Sequence, residues 1–74
     1  MYKYKLEIKF HANVEEAAVH THTFDFESED DFTAMETAAR HCLTSDLAKD
    51  IVQNSILISI EVYRRITVKE SNPR

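Results

Sequence analysis

Alternation of apolar and polar residues near the start of the chain restricts its fold more than any other feature. In the segment YKYKLEIKFHA, residues 2–12, every even position is apolar, and every odd position is charged or histidine. A period of two places these two sets of side chains on opposite faces of a β-strand. The segment is therefore predicted to be a strand with one buried face, which needs a second layer to cover it.

A second alternating segment follows after the polar residues NVEE. In AVHTHTFDFE, residues 18–27, His20, His22, Phe24 and Phe26 share one face. Two alternating segments so close together predict an antiparallel hairpin, with a loop of about three to five residues.

The next segment has the pattern of a helix. Ser28 precedes three acidic residues and is predicted to be the N-cap. The helix is expected to end near residues 44–46, where TSD caps a short second turn. Its apolar stripe recurs at steps of three and four residues, at Phe32, Met35, Ala39 and Cys42.

Residues 55–69 alternate again and predict a third strand. Ile56, Ile58, Ile60, Val62, Ile66 and Val68 fall on one side, interrupted by Arg64. Such a strand is about 50 Å long at about 3.3 Å per residue, longer than either hairpin arm. Part of it is expected to lack a neighbour within one chain, so pairing of two copies across a twofold axis is an alternative.

The element order is β-β-α-β, which predicts an α+β fold of two layers with one helix packed on one face of the sheet. If the last strand lies beside the first, the three-stranded sheet is antiparallel in order 2-1-3. Parallel pairing of strands two and three is the alternative. The 74 residues give room for one domain, predicted over 1–69, and ESNPR at 70–74 is predicted to be a flexible tail.

Composition argues against several classes of function. The chain has no glycine, whereas about five are expected at this length, so glycine-rich phosphate-binding loops are excluded. The single cysteine cannot form an intrachain disulfide and is typical of a reducing compartment. No run of about 18 apolar residues is present to span a membrane, and a cytoplasmic protein without a cofactor is expected.

The spacing of His20 and His22 raises the alternative of a zinc site, with His41 or Cys42 as third ligand. No second ligand pair with recognisable spacing accompanies them, so ordinary strand histidines and no metal are expected. His41 and Cys42 are neighbours on the predicted helix and point about 100° apart, so they cannot form a catalytic pair. The chain is therefore not expected to be an enzyme.

Charge is segregated along the chain, although the net charge is only −4. Five carboxylates between residues 25 and 31 exceed what a helix start requires, and they are predicted to attract a basic partner surface. These predicted partner-binding residues are Asp25, Glu27, Glu29, Asp30 and Asp31.

Basic residues on the strands suggest an alternative surface for single-stranded nucleic acid. Its residues are Lys3, Lys5, Lys9, Tyr63, Arg65 and Lys69. Glu7 and Glu61 interrupt this surface, and the isoelectric point of 5.4 is far from basic.

These features together predict a small non-enzymatic intracellular module that acts through protein–protein contacts. By analogy with small acidic accessory or inhibitory proteins of bacteria and phages, it is expected to block a nucleic-acid-handling partner through its acidic surface. The alternatives are nucleic-acid binding by the basic face and, third, a zinc-binding domain.

Overall fold

The computed structural model describes residues 1–65, and in this part the chain forms an α+β fold. Its elements are β1 (Tyr2–His11), β2 (His20–Ser28), α1 (Asp31–Thr44), α2 (Asp46–Asn54) and β3 (Ile56–Arg65). The sheet has the order β2-β1-β3 with both pairings antiparallel, which confirms the predicted 2-1-3 sheet and excludes the parallel alternative. The predicted strand residues 66–69 and the predicted tail 70–74 lie outside the described residues.

The loop between β1 and β2 spans residues 12–19, so the predicted loop of three to five residues is wrong. The loop contains one backbone turn bond, from the N–H of Glu16 to the carbonyl of Asn13 at 3.2 Å, and side chains add two more. The Asn13 side chain accepts from the backbone N–H of Glu15 at 3.0 Å, and the Glu16 carboxylate accepts from that of Ala12 at 3.1 Å. A longer loop is stable here because its polar backbone groups have partners.

The predicted N-cap, Ser28, is also wrong. Ser28 is the buried last residue of β2 and pairs with Tyr2, whereas Asp30 caps α1 and accepts from the backbone N–H of Thr33 at 2.7 Å. This bond lowers the pKa of Asp30. A carboxylate serves the position well because it also meets the positive end of the helix dipole.

Two helices follow where one was predicted. Ser45 ends α1, and its backbone N–H donates to the carbonyl of His41. Ser45 is also the N-cap of α2, because its side chain accepts a hydrogen bond from the backbone N–H of Ala48. The expected short second turn is thus a helix of nine residues. No helix in residues 1–65 is long and apolar enough to cross a membrane.

The core lies between the sheet and the two helices. Tyr4, Leu6 and Ile8 of β1 are buried at the centre of the sheet. The helices contribute mainly small side chains to this core: Ala34, Ala38, Ala48 and Ile51.

The predicted apolar stripe of α1 is therefore wrong in phase. Phe32, Met35 and Ala39 are exposed, and Cys42 is half-buried. The sheet face already carries large side chains, including Phe24 and Phe26, so small residues on the contact face let the helix approach closely.

The described part of β3 has ten residues, as β1 does, and pairs along it from Arg65 opposite Lys3 to Ile56 opposite His11. The expected excess length is not seen in this part of the chain. A bulge interrupts the register, because Lys9 pairs with Ser59 and Phe10 with Leu57. Ile56 thus loses the phase of Ile60 and Val62, contrary to the prediction that they share one face.

Candidate binding surface

An apolar groove runs between α1 and β3 on the helix-covered face of the sheet. It forms because the helices bury mainly the central strand, which leaves the inner face of β3 partly uncovered. Its volume is about 270 Å³, and it is lined by Leu6, Met35, Ala38, Ala39, Cys42, Ile60 and Val62. All seven lining residues are apolar, so the groove matches an apolar side chain of a partner.

The walls of this groove are formed by large side chains that the fold leaves in water. Met35 is 58% exposed and Ile60 is 46% exposed. Cys42 is half-buried in the groove, and burial raises the pKa of its thiol. A thiol held neutral in apolar surroundings behaves as a small hydrophobic side chain, so Cys42 belongs to the apolar lining.

A polar cluster bounds one end of the groove. The Tyr4 hydroxyl donates to Oδ1 of Asp31 at 2.7 Å, and a guanidinium nitrogen of Arg64 lies 3.8 Å from the same oxygen. Burial, followed by the bond to Asp31, raises the pKa of Tyr4. Arg64, which broke the apolar pattern of β3, thus lies opposite Tyr4 and beside an acid at the start of α1.

Three of the five predicted partner-binding carboxylates take part in contacts within the chain. Asp30 caps α1, Asp31 accepts from Tyr4, and Asp25 lies 4.0 Å from Arg65. All three carboxylates are exposed, so the pairing of Asp25 with Arg65 is a weak surface interaction. The bond of Asp31 differs, because its donor Tyr4 is buried.

The five carboxylates do not form one continuous patch. Asp25 and Glu27 lie on β2 opposite Lys5 and Lys3, on the sheet face that carries no helix. Asp30 and Asp31 lie at the start of α1, on the other side of the sheet, and Glu29 connects the two groups. Asp31 borders the polar end of the groove, where it lines a depression together with Met35 and Val62.

The helix-free face of the sheet is mixed in charge over the described residues. Its basic members are Lys3, Lys5, Lys9 and Arg65, and its acidic members are Glu7, Asp25, Glu27 and Glu61. Lys5 and Lys9 lie 3.9 and 4.0 Å from the Glu7 carboxylate. Equal numbers of both signs give this face little attraction for a phosphate backbone. Lys69, the remaining predicted nucleic-acid residue, lies outside the described residues.

Tyr63, the aromatic residue predicted to stack on bases, is hydrogen-bonded to two carboxylates. Its hydroxyl donates to the carboxylates of Glu61 and Glu7, and Lys5 lies 6.0 Å from the ring centroid. The hydrogen bond to Glu61 is the main cause that raises the pKa of Tyr63 to about 12. Two carboxylates beside the ring would repel a nucleic-acid strand.

The histidines of β2 have separate partners. His20 lies 2.9 Å from a carboxylate oxygen of Glu16, and this bond is the main cause that lowers the pKa of Glu16. His22 instead reaches α1, where its Nε2 lies 3.2 Å from Nε2 of His41. His20 and His22, which lie two residues apart on β2, therefore do not act as a pair.

The His22 and His41 rings meet edge to edge. Their planes differ by 6°, and their centroids lie 5.5 Å apart, which exceeds the separation of the nitrogens by about one ring width. Each Nε2 therefore points along the line that joins the rings, as in an N–H···N hydrogen bond. Phe24 stacks on His41 with centroids 3.8 Å apart. Burial, followed by the charge of His22, lowers the pKa of His41.

No group of three His, Cys, Asp or Glu side chains suitable for a metal occurs within residues 1–65. Cys42, the proposed third ligand for zinc, lines the groove, whereas His22 bonds to His41. The pair His22–His41 has the geometry of a shared proton rather than of two ligands that converge on one ion.

The groove is not evident from the sequence. Apolar periodicity places Met35 and Ile60 in the buried core, because it identifies a face but not how far the opposite layer extends over that face. Ala34 and Ala38 indicated the true contact face in the sequence. They are four residues apart and form a second apolar face of α1, beside the face that carries Phe32 and Met35.

Comparisons of the chain with models of protein families, with curated proteins and with solved structures found no match.

Proposed function

We propose that the chain is a small non-enzymatic binding module that acts through protein–protein contacts. The apolar groove between α1 and β3 carries this proposal, because a surface with Met35 and Ile60 in water is stabilised when another protein covers it. The expected partner inserts one or two large apolar side chains into the groove, as hot-spot residues do in other interfaces.

Charge at the end of the groove suggests what surrounds that apolar anchor. Glu29, Asp30 and Asp31 lie at the start of α1, next to Phe32, which is 73% exposed. A partner with basic residues beside its apolar anchor would meet both features at once. The acidic surface expected from the sequence thereby becomes the rim of the contact, where charge acts mainly on the rate of association.

The more specific expectation, that the partner handles nucleic acid and is blocked by this chain, stays a prediction. So does the cytoplasmic location. Direct nucleic-acid binding by the helix-free face is the less favoured function, because acids and bases alternate on that face and Tyr63 is bonded to Glu7 and Glu61.

Capture of partner protein by the immobilised chain, from a nuclease-treated lysate, tests the proposal. Met35→Glu places a charge in the groove and is expected to reduce the captured protein by about tenfold or more. Leu47→Glu is the matched control, because Leu47 is 60% exposed but does not line the groove. Equal capture by wild type and Met35→Glu, with both folded by circular dichroism, would contradict the proposal.

The acidic rim has its own test. Glu27→Lys and Glu29→Lys change exposed residues that do not cap α1, so the fold is expected to persist. Glu29 precedes Asp31, which borders the groove, by two residues, whereas Glu27 lies on the helix-free face opposite Lys3. Glu29→Lys is therefore expected to slow association at low salt, and Glu27→Lys is expected to have a smaller effect. The difference should shrink as salt is added. Unchanged association of Glu29→Lys at low ionic strength would exclude the rim from the contact.

A further inference from the structure

Helix α1 lies between the two edge strands of the sheet and contacts each of them differently. On the β2 side, His41 bonds to His22 and stacks on Phe24. On the β3 side lies the groove, with Ile60 in its wall. His22 and Ile60 belong to one row of the sheet, because both pair with Ile8. Since neighbouring strands lie about 4.8 Å apart, α1 spans about 10 Å between these two contacts, and a sideways shift changes both.

The α1 residues that line the groove flank His41 along the helix. Ala38 and Ala39 precede His41 within one turn, and Cys42 follows it directly. Packed helices respond to a changed contact by shifting as a unit, by about 1 to 2 Å. A shift of α1 away from β2 would therefore carry these three residues toward β3 and narrow the groove.

The contact between the two histidines depends on how many protons they carry. When both rings are neutral, one Nε2 donates to the other at 3.2 Å. A first added proton leaves this bond intact, because the charged ring still donates to the neutral one. A second added proton makes both nitrogens donors, so the bond is lost and two positive charges repel. Both rings are half-buried, so water screens this repulsion only in part.

We propose that the second proton on the His22–His41 pair moves α1 toward β3 and closes the groove, so that mild acid switches off partner binding. At neutral pH the hydrogen bond holds α1 beside β2, and the groove is open. This regulation rests on the proposed function, because the groove is the binding surface in both.

The immediate surroundings of the pair do not neutralise its charge. Within residues 1–65 neither His22 nor His41 forms an ion pair with a carboxylate, and His20 on the same face of β2 is paired with Glu16. Arg40 lines the same depression as His41 and carries a positive charge. Burial, followed by the charge of His22, lowers the pKa of His41, as expected for the ring that takes the second proton.

The other elements packed against the pair supply no counter-ion in the described part of the chain. On the sheet, Ile8 and Ile60 share the row of His22 and are uncharged. On the helices, the acids form no ion pair with either histidine, and Lys49 is the basic residue of α2. These acids are Asp31, Glu36, Asp46 and Asp50.

Rotation of the His22 side chain is the competing response to this repulsion. It would separate the rings while α1 stays in place, and the groove would not change. The His41 ring is less free to turn, because it stacks on Phe24 with centroids 3.8 Å apart. A reporter inside the groove therefore distinguishes the two responses.

The two methionines supply such a reporter and its control, because Met35 lines the groove whereas Met1 is 82% exposed. In protein with isotope-labelled methionine methyl groups, the Met35 NMR signal is expected to shift on acidification with the same midpoint as the His41 ring signals. The Met1 signal is expected to stay constant. His22→Gln, which takes up no proton, is expected to abolish the Met35 shift, whereas His20→Gln on the same face of β2 is expected to keep it. A constant Met35 signal while the His41 ring titrates, in protein folded by circular dichroism, would overturn the proposal.

Capture of partner protein from the nuclease-treated lysate, at neutral and mildly acidic pH, tests the effect on binding. Because the open groove requires the loss of one proton, wild-type affinity is expected to fall by up to about tenfold per pH unit below the midpoint of His41. His22→Gln is expected to show a smaller fall, which separates the switch from titration of the partner itself. Equal falls in the two proteins would contradict the switch.

These outcomes separate the proposed regulation from the proposed function. Capture that depends on Met35, together with a Met35 signal that ignores the titration of His41, would overturn only the switch. A Met35 signal that follows His41, together with capture that is unaffected by Met35→Glu, would instead contradict the groove as the binding surface and leave the movement of α1 in place.

Discussion

The hydroxyl of Tyr4 donates a 2.7 Å hydrogen bond to Oδ1 of Asp31, so the middle strand of the sheet holds the first residue of α1. The two residues are 27 positions apart in the chain. This contact fixes where α1 begins relative to the sheet, and therefore where the polar end of the groove lies.

A double-mutant cycle measures this contact. Tyr4→Phe and Asp31→Ala are each expected to lower the free energy of unfolding, and the double variant is expected to lose less than the sum, because both single changes remove the same bond. Urea denaturation gives the four values. Additive losses would mean that the two side chains contribute independently.

The phase of α1 can be tested with two neighbouring alanines. Ala38 is 4% exposed against the sheet and Ala39 is exposed, so Ala38→Leu is expected to cost about 1 to 3 kcal/mol through overpacking. Ala39→Leu is expected to change the free energy of unfolding by about 0.5 kcal/mol or less. The reverse order of the two losses would restore the helix phase predicted from the sequence.

The burial of His41 beside His22 makes stability depend on pH. The pKa of His41 is lowered below its usual value of 6.5 in the folded protein, so the unfolded chain binds its proton more readily. The stabilisation from neutral His41 is complete above pH 6.5, and it is lost as the pH falls from there toward the lowered pKa.

Urea unfolding between neutral and mildly acidic pH checks this dependence. The free energy of unfolding is expected to fall on acidification in the wild type and to fall less steeply in His41→Phe. His11→Gln is the control, because His11 bonds to the carbonyl of Ala18 and not to another histidine. An identical pH dependence in wild type and His41→Phe would contradict the lowered pKa of His41.

Cys42 reports on the state of the groove. Burial raises the pKa of its thiol, so less thiolate is present at a given pH, and alkylation by iodoacetamide is expected to be slower than in the urea-unfolded chain. Glu36→Cys in a Cys42→Ala background supplies an exposed thiol on the same helix for comparison. Equal rates for the two folded proteins would mean that the groove does not shield Cys42.

The strands β1 and β2 and the break between the helices could be predicted from the sequence. The strict alternation around Leu6 and Ile8 predicted β1 and the central position of its apolar face, because period two has one structural interpretation. The alternation in HTHTFDFE predicted β2 for the same reason, and TSD correctly marked the break near Ser45.

The helix phase and the bulge depend on packing that no local pattern contains. Apolar periodicity favoured a contact face with Phe32 and Met35, because these residues are larger and more apolar than the alanines. The space between α1 and the sheet, which Phe24 and Phe26 partly fill, instead favours the face with the small alanines. The bulge at Ile58 is visible only in the pairing of β3 with β1, where Lys9 pairs with Ser59 and Phe10 with Leu57. The candidate groove follows from how the helices pack on the sheet, so it could not be predicted either.

The whole described fold is made without glycine, and no residue of 1–65 has a positive φ angle. Its connections use the side chains of Asn13, Glu16, Asp30 and Ser45 as hydrogen-bond partners. A chain without glycine samples fewer backbone conformations when unfolded, so it loses less entropy on folding. The same entropy makes the chain sensitive to added glycine. A glycine introduced at an exposed helix position such as Glu36 should lower the free energy of unfolding by raising the entropy of the unfolded chain, although no contact in the folded protein is broken.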